Sequence, residues 1–229
     1  MSNLKENIEK IHSSIVAIGF RPAPNKVTII GSGFSVSNDG KILSAAHLYK
    51  NLTAEQLDSL VCMAMTERDV SEHYLWLPLS IIKKEDADDM ALLQVKDYHR
   101  TLLEPLELGD AESIQVGQEV YFIGFPYAAL LMNDGFGVTL IVNKGIISGV
   151  KRKGLAQDPE HPLDWFIVDA ISNPGNSGCP LIDVETNKVI GVMSISFRTQ
   201  SRVQPNLDIR EPMHIAGAKP INLAKEMLK

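Results

Sequence analysis

The feature that most constrains this chain is a rhythm of short β-branched and apolar runs, broken repeatedly by Gly, Pro, Asn and Asp. One set falls at 14–20 (SIVAIGF), 26–36 (KVTIIGSGFSV), 41–44, 61–66, 74–82 (YLWLPLSII) and 90–96. A second set falls at 118–125, 137–150, 165–170, 179–183, 188–197 and 214–218. Many short strands at such spacing read as a sandwich or a barrel. Two sets of about six, parted by the polar stretch 103–117, predict an all-β chain with two similar barrels, 14–102 and 118–219. Helix is expected at Leu4–His12, as a turn at 53–60, and as a closing segment at 220–229 after Pro220. Residues 1–229 are therefore read as one domain of two barrels, without a visible sequence repeat between them.

Charge narrows the partners. The chain carries 22 basic against 28 acidic residues, a formal charge of −6, and its longest basic run is KRK at 151–153. Phosphate neutralisation needs a positive face, so nucleic acid is not expected as the main partner. The N-terminal MSNLKENIEKIHSS lacks the positive start and apolar core of an export signal. No apolar run reaches the roughly 20 residues of a membrane span, so no membrane association is expected. Two cysteines, Cys62 and Cys179, make no disulfide framework. Together these suggest a cytoplasmic protein.

Three short stretches could carry chemistry. His12, His73, His99, His161 and His214 sit in polar or ambiguous contexts, whereas His47 closes GSGFSVSNDGKILSAAH after two alanines at a strand end. Small neighbours there leave room beside the ring. In DADDMALLQV, Asp86 and Asp88 fit a solvated turn; Asp89 immediately precedes an apolar strand and could turn inward. A partly buried carboxylate needs donors, and a histidine Nδ1–H is one. In SNPGNSGCPL, Ser177 is surrounded by turn residues. Gly175 can bend the backbone so that its N–H and that of Ser177 converge, while Pro174 and Pro180 limit relaxation. A serine nucleophile needs a base and such oxyanion donors. Each stretch alone also fits an ordinary loop. Their order, His47 and Asp89 in the first strand set and Ser177 in the second, would bring the groups together between two barrels.

At this point the sequence resembles the trypsin-fold serine proteases of the chymotrypsin clan, and among them the HtrA (Deg) type. GSGFSVSNDGKILSAAH is similar to that family's G-S-G-F-x-I-x-x-x-G-x-I-L-T-x-x-H. DADDMALLQV is similar to D-x-x-x-D-I-A-L-L-x-V, which selects Asp89. LGDAESIQVGQEVYFIGFPY and DAISNPGNSGCPLID match two further family segments, and HIAGAKPINLAKEML its closing strand and helix. The resemblance implies two Greek-key six-stranded β-barrels. It implies a serine endopeptidase with His47 as base, Asp89 as its orienting acid and Ser177 as nucleophile. The oxyanion donors would be Gly175 and Ser177, with Asn176 beside them. No metal or organic cofactor is implied, and the partner is a protein or peptide substrate.

The family fold also suggests a substrate pocket of Ile171, Asn173, Ser194 and Ile195, without an acidic residue to pair lysine or arginine. Cleavage after small or aliphatic side chains is expected. HtrA proteins usually add PDZ domains, and this chain ends where the protease domain would, so control by a PDZ domain is not expected. By resemblance, loops 127–137, 151–164 and 198–213 would be ordered by substrate or partner. The apolar 128–132 could serve a homo-oligomer contact. Cys179 replaces the family's usual glycine and is expected to be a small core residue. Two alternatives remain open: a binding or chaperone-like module in an inactive state, and a single-target effector protease of a defence or toxin system.

Overall fold

The odd and even residues of the first apolar run go to different cores, which explains why it shows no polar alternation. In the structure, a computed structural model describing residues 3–68, 72–154, 160–200 and 210–229, Val16, Ile18 and Phe20 point into one barrel. Ile15 and Ala17 point outward and join the core of a second barrel. Ile42 and Leu43 divide in the same way, as do Ala91 and Leu93 against Met90 and Leu92. A strand buried on both faces reads as a continuous apolar run.

Among the described residues, β1 (Ile15–Ala23), β2 (Lys26–Ser35), β3 (Lys41–Ser44), β4 (Leu60–Arg68), β5 (Glu72–Glu85) and β6 (Met90–Val95) form the first barrel. They close in the order β1-β2-β3-β6-β5-β4. β7 (Glu119–Gly124), β8 (Ile141–Arg152), β9 (Leu163–Val168), β10 (Pro180–Asp183), β11 (Val189–Gln200) and β12 (Arg210–Pro220) close as β10-β11-β12-β9-β8-β7. Both follow one Greek-key path, so the all-β, two-barrel reading holds.

Short helices pin the margins. In α1 (Leu4–Ile11), Asn3 caps the start by accepting from the Lys5 N–H. Asn7 donates to the Val184 carbonyl at 3.0 Å, fastening α1 to the second barrel. α2 (Ala54–Asp58) starts in a capping box of Thr53 and Gln56. Two expectations are refined. The closing helix at 220–229 is a 3-10 turn over Ile221–Ala224. Ile221, Ala224 and Met227, three apart and all buried, suit the three-residue period of that turn. The run at 137–150 begins as a strand only at Ile141. Before it lies α3 (Ala128–Asn133), with Leu130, Met132 and Phe136 exposed around it. Residues 155–159 and 201–209, within two of the expected substrate-ordered loops, lie outside the described residues.

Candidate active site

β3 ends at Ser44, and the fully buried Ala45 and Ala46 carry the chain into a 3-10 turn that holds His47. Across from it, the β5–β6 turn ends at Asp89 with φ +52°, a left-handed conformation that costs a residue with a side chain energy. Five contacts hold it there. Its carbonyl accepts from the Ala46 N–H at 3.3 Å. Its carboxylate accepts from the His47 backbone N–H at 2.8 Å and faces His47 Nδ1 at 2.8 and 3.1 Å. The Ser194 hydroxyl completes the set by donating to Oδ2. Burial pushes the Asp89 carboxyl up, but the bonds from His47 and Ser194 together outweigh it and leave it below its ordinary range. Of the other two aspartates, Asp86 is a solvated turn residue paired with Lys84, whereas Asp88 is half-buried and pairs with Lys153 of the second barrel at 2.9 Å. With Nδ1 facing the carboxylate, the His47 Nε2 is left for the cleft.

Ser177 lies in the β9–β10 loop, where Gly175 has φ +103° and Gly178 φ +88°. At Gly175 a Cβ would meet the Phe125 carbonyl oxygen at 2.4 Å, and at Gly178 the Ser32 carbonyl oxygen at 2.2 Å. Only glycine fits either place. The Pro174 carbonyl accepts from the Tyr127 N–H at 2.8 Å. Because a trans peptide opposes its carbonyl and N–H, this turns the Gly175 N–H the other way. Among the described residues, the N–H groups of Gly175 and Ser177 have no protein acceptor. Asn176 differs: its N–H donates to the Asn173 carbonyl at 3.0 Å, and its buried side-chain amide has no partner among the described residues. The turn thus uses the third expected oxyanion donor.

Ser194 joins the two halves. Its side chain serves Asp89, and its carbonyl accepts from the Ser177 hydroxyl at 3.3 Å. Among the described residues, no hydrogen bond joins Ser177 to the His47 ring. Ser196 on the same strand donates to the Ser172 carbonyl at 2.7 Å, tying β11 to the loop that begins at Ile171. Ile171 is half-buried, and Ile195 is exposed toward the cleft. Asn173 accepts from the Tyr127 hydroxyl at 3.0 Å, so it is engaged by the loop before α3. The cleft, about 490 Å³, is lined by His47, Ala87, Asp89, Trp165, Ser194–Ser196 and Lys219. Lys219 pairs with Asp164 at 2.7 Å and lies 4.0 Å from the Trp165 ring centroid. Sequence reading did not find Trp165, Lys219, Tyr127 or the carboxylate role of Ser194; no spacing rule links them to the other residues.

Cys179 is fully buried beside Gly124, and burial pushes its thiol up. It is a packing residue. Among the described residues, no cluster of His, Cys, Asp or Glu could hold a metal ion, and no helix is long and apolar enough to cross a membrane.

A family description of the trypsin-like peptidase domain matches residues 31–192. The chain is 33% identical over 171 residues to the magnetosome formation protease MamE of Paramagnetospirillum magneticum, covering 75% of this chain and 20% of that protein. It is 33% identical over 187 residues to a probable periplasmic serine endoprotease, DegP-like, of Halomonas elongata, covering 82% and 33%. The chain thus spans a third or less of these two curated relatives. Among solved structures, Deg5 superposes with a TM-score of 0.68 at 23% identity, over 97% of this chain and 90% of that one. The HtrA-type protease AlgW with a bound tripeptide superposes at 0.67 and 22% identity, over 99% and 62%. These two likenesses support the fold. The cytoplasmic expectation is overturned, because DegP-like relatives matching four-fifths of this chain are named periplasmic. Its premise was weak in physical terms as well: two fully buried thiols carry little information about redox compartment.

Proposed function

The chain belongs to the trypsin-like peptidase family, and on that premise we propose that it is a serine endopeptidase acting through His47, Asp89 and Ser177. The observation that carries the reading is the Asp89 carboxylate gripping both the backbone and the ring of His47, with Ser177 tied to the same site through Ser194. In the reaction His47 Nε2 takes the Ser177 proton as Oγ attacks the scissile carbonyl. The Gly175 and Ser177 N–H groups receive the oxyanion. His47 then protonates the leaving amine, and water, deprotonated by His47, releases the acyl group from Ser177. Asp89 stays ionised throughout and stabilises the imidazolium.

The substrate class is a protein or peptide. Ile171 and Ile195 offer no charge to a basic side chain, and the Ser196–Ser172 bond ties their two segments together. Both features support cleavage after small or aliphatic residues. Digestion of a denatured-proteome peptide library tests activity and preference together. The wild type should cleave mainly after Val, Ala, Ile or Leu, and Ser177→Ala should lose about a million-fold in kcat. A dominant Arg or Lys preference would contradict the pocket assignment, and full activity in Ser177→Ala would contradict the mechanism.

One observation favours a resting state of the same enzyme. The Ser177 hydroxyl is on the Ser194 carbonyl, and it must leave that acceptor to engage His47.

A further inference from the structure

Ser32 belongs to β2 of the first barrel and is fully buried, yet three of its bonds cross to the second, two of them to the loop of Ser177. Its N–H donates to the Ser177 carbonyl at 2.9 Å. Its carbonyl accepts from the Ser44 hydroxyl at 2.7 Å. Its own hydroxyl accepts from the Phe125 N–H at 2.9 Å and donates to the Gly175 carbonyl at 2.7 Å. Gly124 leaves room for that hydroxyl, since a Cβ there would lie 2.9 Å from Ser32 Oγ.

We propose that the Ser32 hydroxyl is a positioning group for the oxyanion site, fixing the carbonyl of Gly175 so that the N–H groups of Gly175 and Ser177 converge. The proposal rests on the reading of those N–H groups as the oxyanion donors. A glycine at φ +103° has little intrinsic resistance to rotation of its flanking peptides. The residue that makes the geometry possible is therefore also the loop's softest point. Two bonds compensate. Tyr127 holds the carbonyl before Gly175, and Ser32 holds the carbonyl of Gly175 itself. The first anchor comes from the second barrel and the second from the first, so the loop is spanned from both sides of the seam. Without the hydroxyl, the buried Phe125 N–H and the part-buried Gly175 carbonyl both lose this partner. Buried polar groups do not tolerate that state, and the loop relieves it by leaving its productive position.

Oxyanion donors act on charge that develops in the transition state, so their misplacement lowers kcat while leaving ground-state binding unchanged. Losing one donor outright costs about 10²–10³-fold. Ser32→Ala should therefore lose about 10- to 100-fold in kcat on a peptide substrate, with KM unchanged within about twofold. Inhibition by a peptide boronic acid, whose adduct oxygen fills the oxyanion site, should weaken by the same factor. Ser35→Ala is the comparison: it is equally buried on the same strand, and among the described residues its hydroxyl bonds to the Ser37 carbonyl alone. It should keep wild-type kcat. Ser32→Cys keeps the volume with a weak donor and should also lose most of kcat, which covers the case in which Ser32→Ala does not fold. Wild-type kcat in either Ser32 variant overturns the proposal, as does a loss carried by KM alone or matched by Ser35→Ala. If the wild type itself neither cleaves peptide nor binds the boronic acid, the protease reading fails and this proposal with it. If the wild type does both and the Ser32 variants match it, only the Ser32 assignment fails.

Discussion

At the scale of the residue, Asp89 concentrates the cost and the purpose of the site. It holds a left-handed φ, four of its five contacts come from His47 and Ser194, and its carboxyl lies below the ordinary value of 3.8 despite burial. A carboxyl depressed in the folded state adds stability above its unfolded pKa, and that stability is lost as pH falls through the folded value. Asp89→Asn should therefore lower kcat by about 10⁴-fold and melt below the wild type at pH 7. The gap should narrow as pH falls below about 4, the range in which a free aspartate protonates. Thermal melts at pH 7 and pH 3 measure this; a gap of equal size at both would show that the carboxylate contributes no linked stability. The sequence distinguished Asp89 from Asp86 and Asp88 only by its place before an apolar strand and by resemblance. The reason it turns inward, a donor from β11 more than a hundred residues away, has no local signature.

At the scale of the element, the β9–β10 loop shows what a turn-rich stretch conveys and what it omits. Gly175 is identifiable in the sequence because a converging pair of N–H groups demands a glycine. Gly178 carries a demand with no local signature: a Cβ there would lie 2.2 Å from the Ser32 carbonyl oxygen and 3.0 Å from the Ala45 nitrogen. Both are backbone atoms of the first barrel, and neither can swing aside. With φ +88° as well, Gly178→Ala should destabilise the protein by at least about 2 kcal/mol, read from urea unfolding. A loss under 0.5 kcal/mol, the range of an ordinary surface change, would mean that the seam yields. Strand positions were read well, since β-branched runs and turn residues are local. The closing helix is present but is a short 3-10 one, because burial of Ile221, Ala224 and Met227 selects the three-residue period.

At the scale of the whole molecule, the barrels share a core: β1, β3, β4 and β6 send alternate side chains inward and across the seam. The doubled burial was not readable, because an apolar run does not say which two bodies it separates. Cys62 faces the interior of the first barrel and Cys179 the core of the second, and both are fully buried. Burial pushes the Cys62 thiol up to about 12 and the Cys179 thiol upward too, so neither supplies thiolate near neutral pH. Iodoacetamide at pH 8 should leave both unmodified in the native protein and alkylate both in concentrated urea. Native alkylation of Cys179 at the rate of a free thiol would mean that the seam opens readily. Three separated stretches meet only through this shared core, and their catalytic reading stands or falls together. The most direct measurement is reaction of the whole chain with a fluorophosphonate, followed by mass mapping of the adduct. The assignment predicts one adduct, on Ser177, that disappears in His47→Ala. A folded wild-type protein that takes no label, or that takes it on another residue, would contradict it.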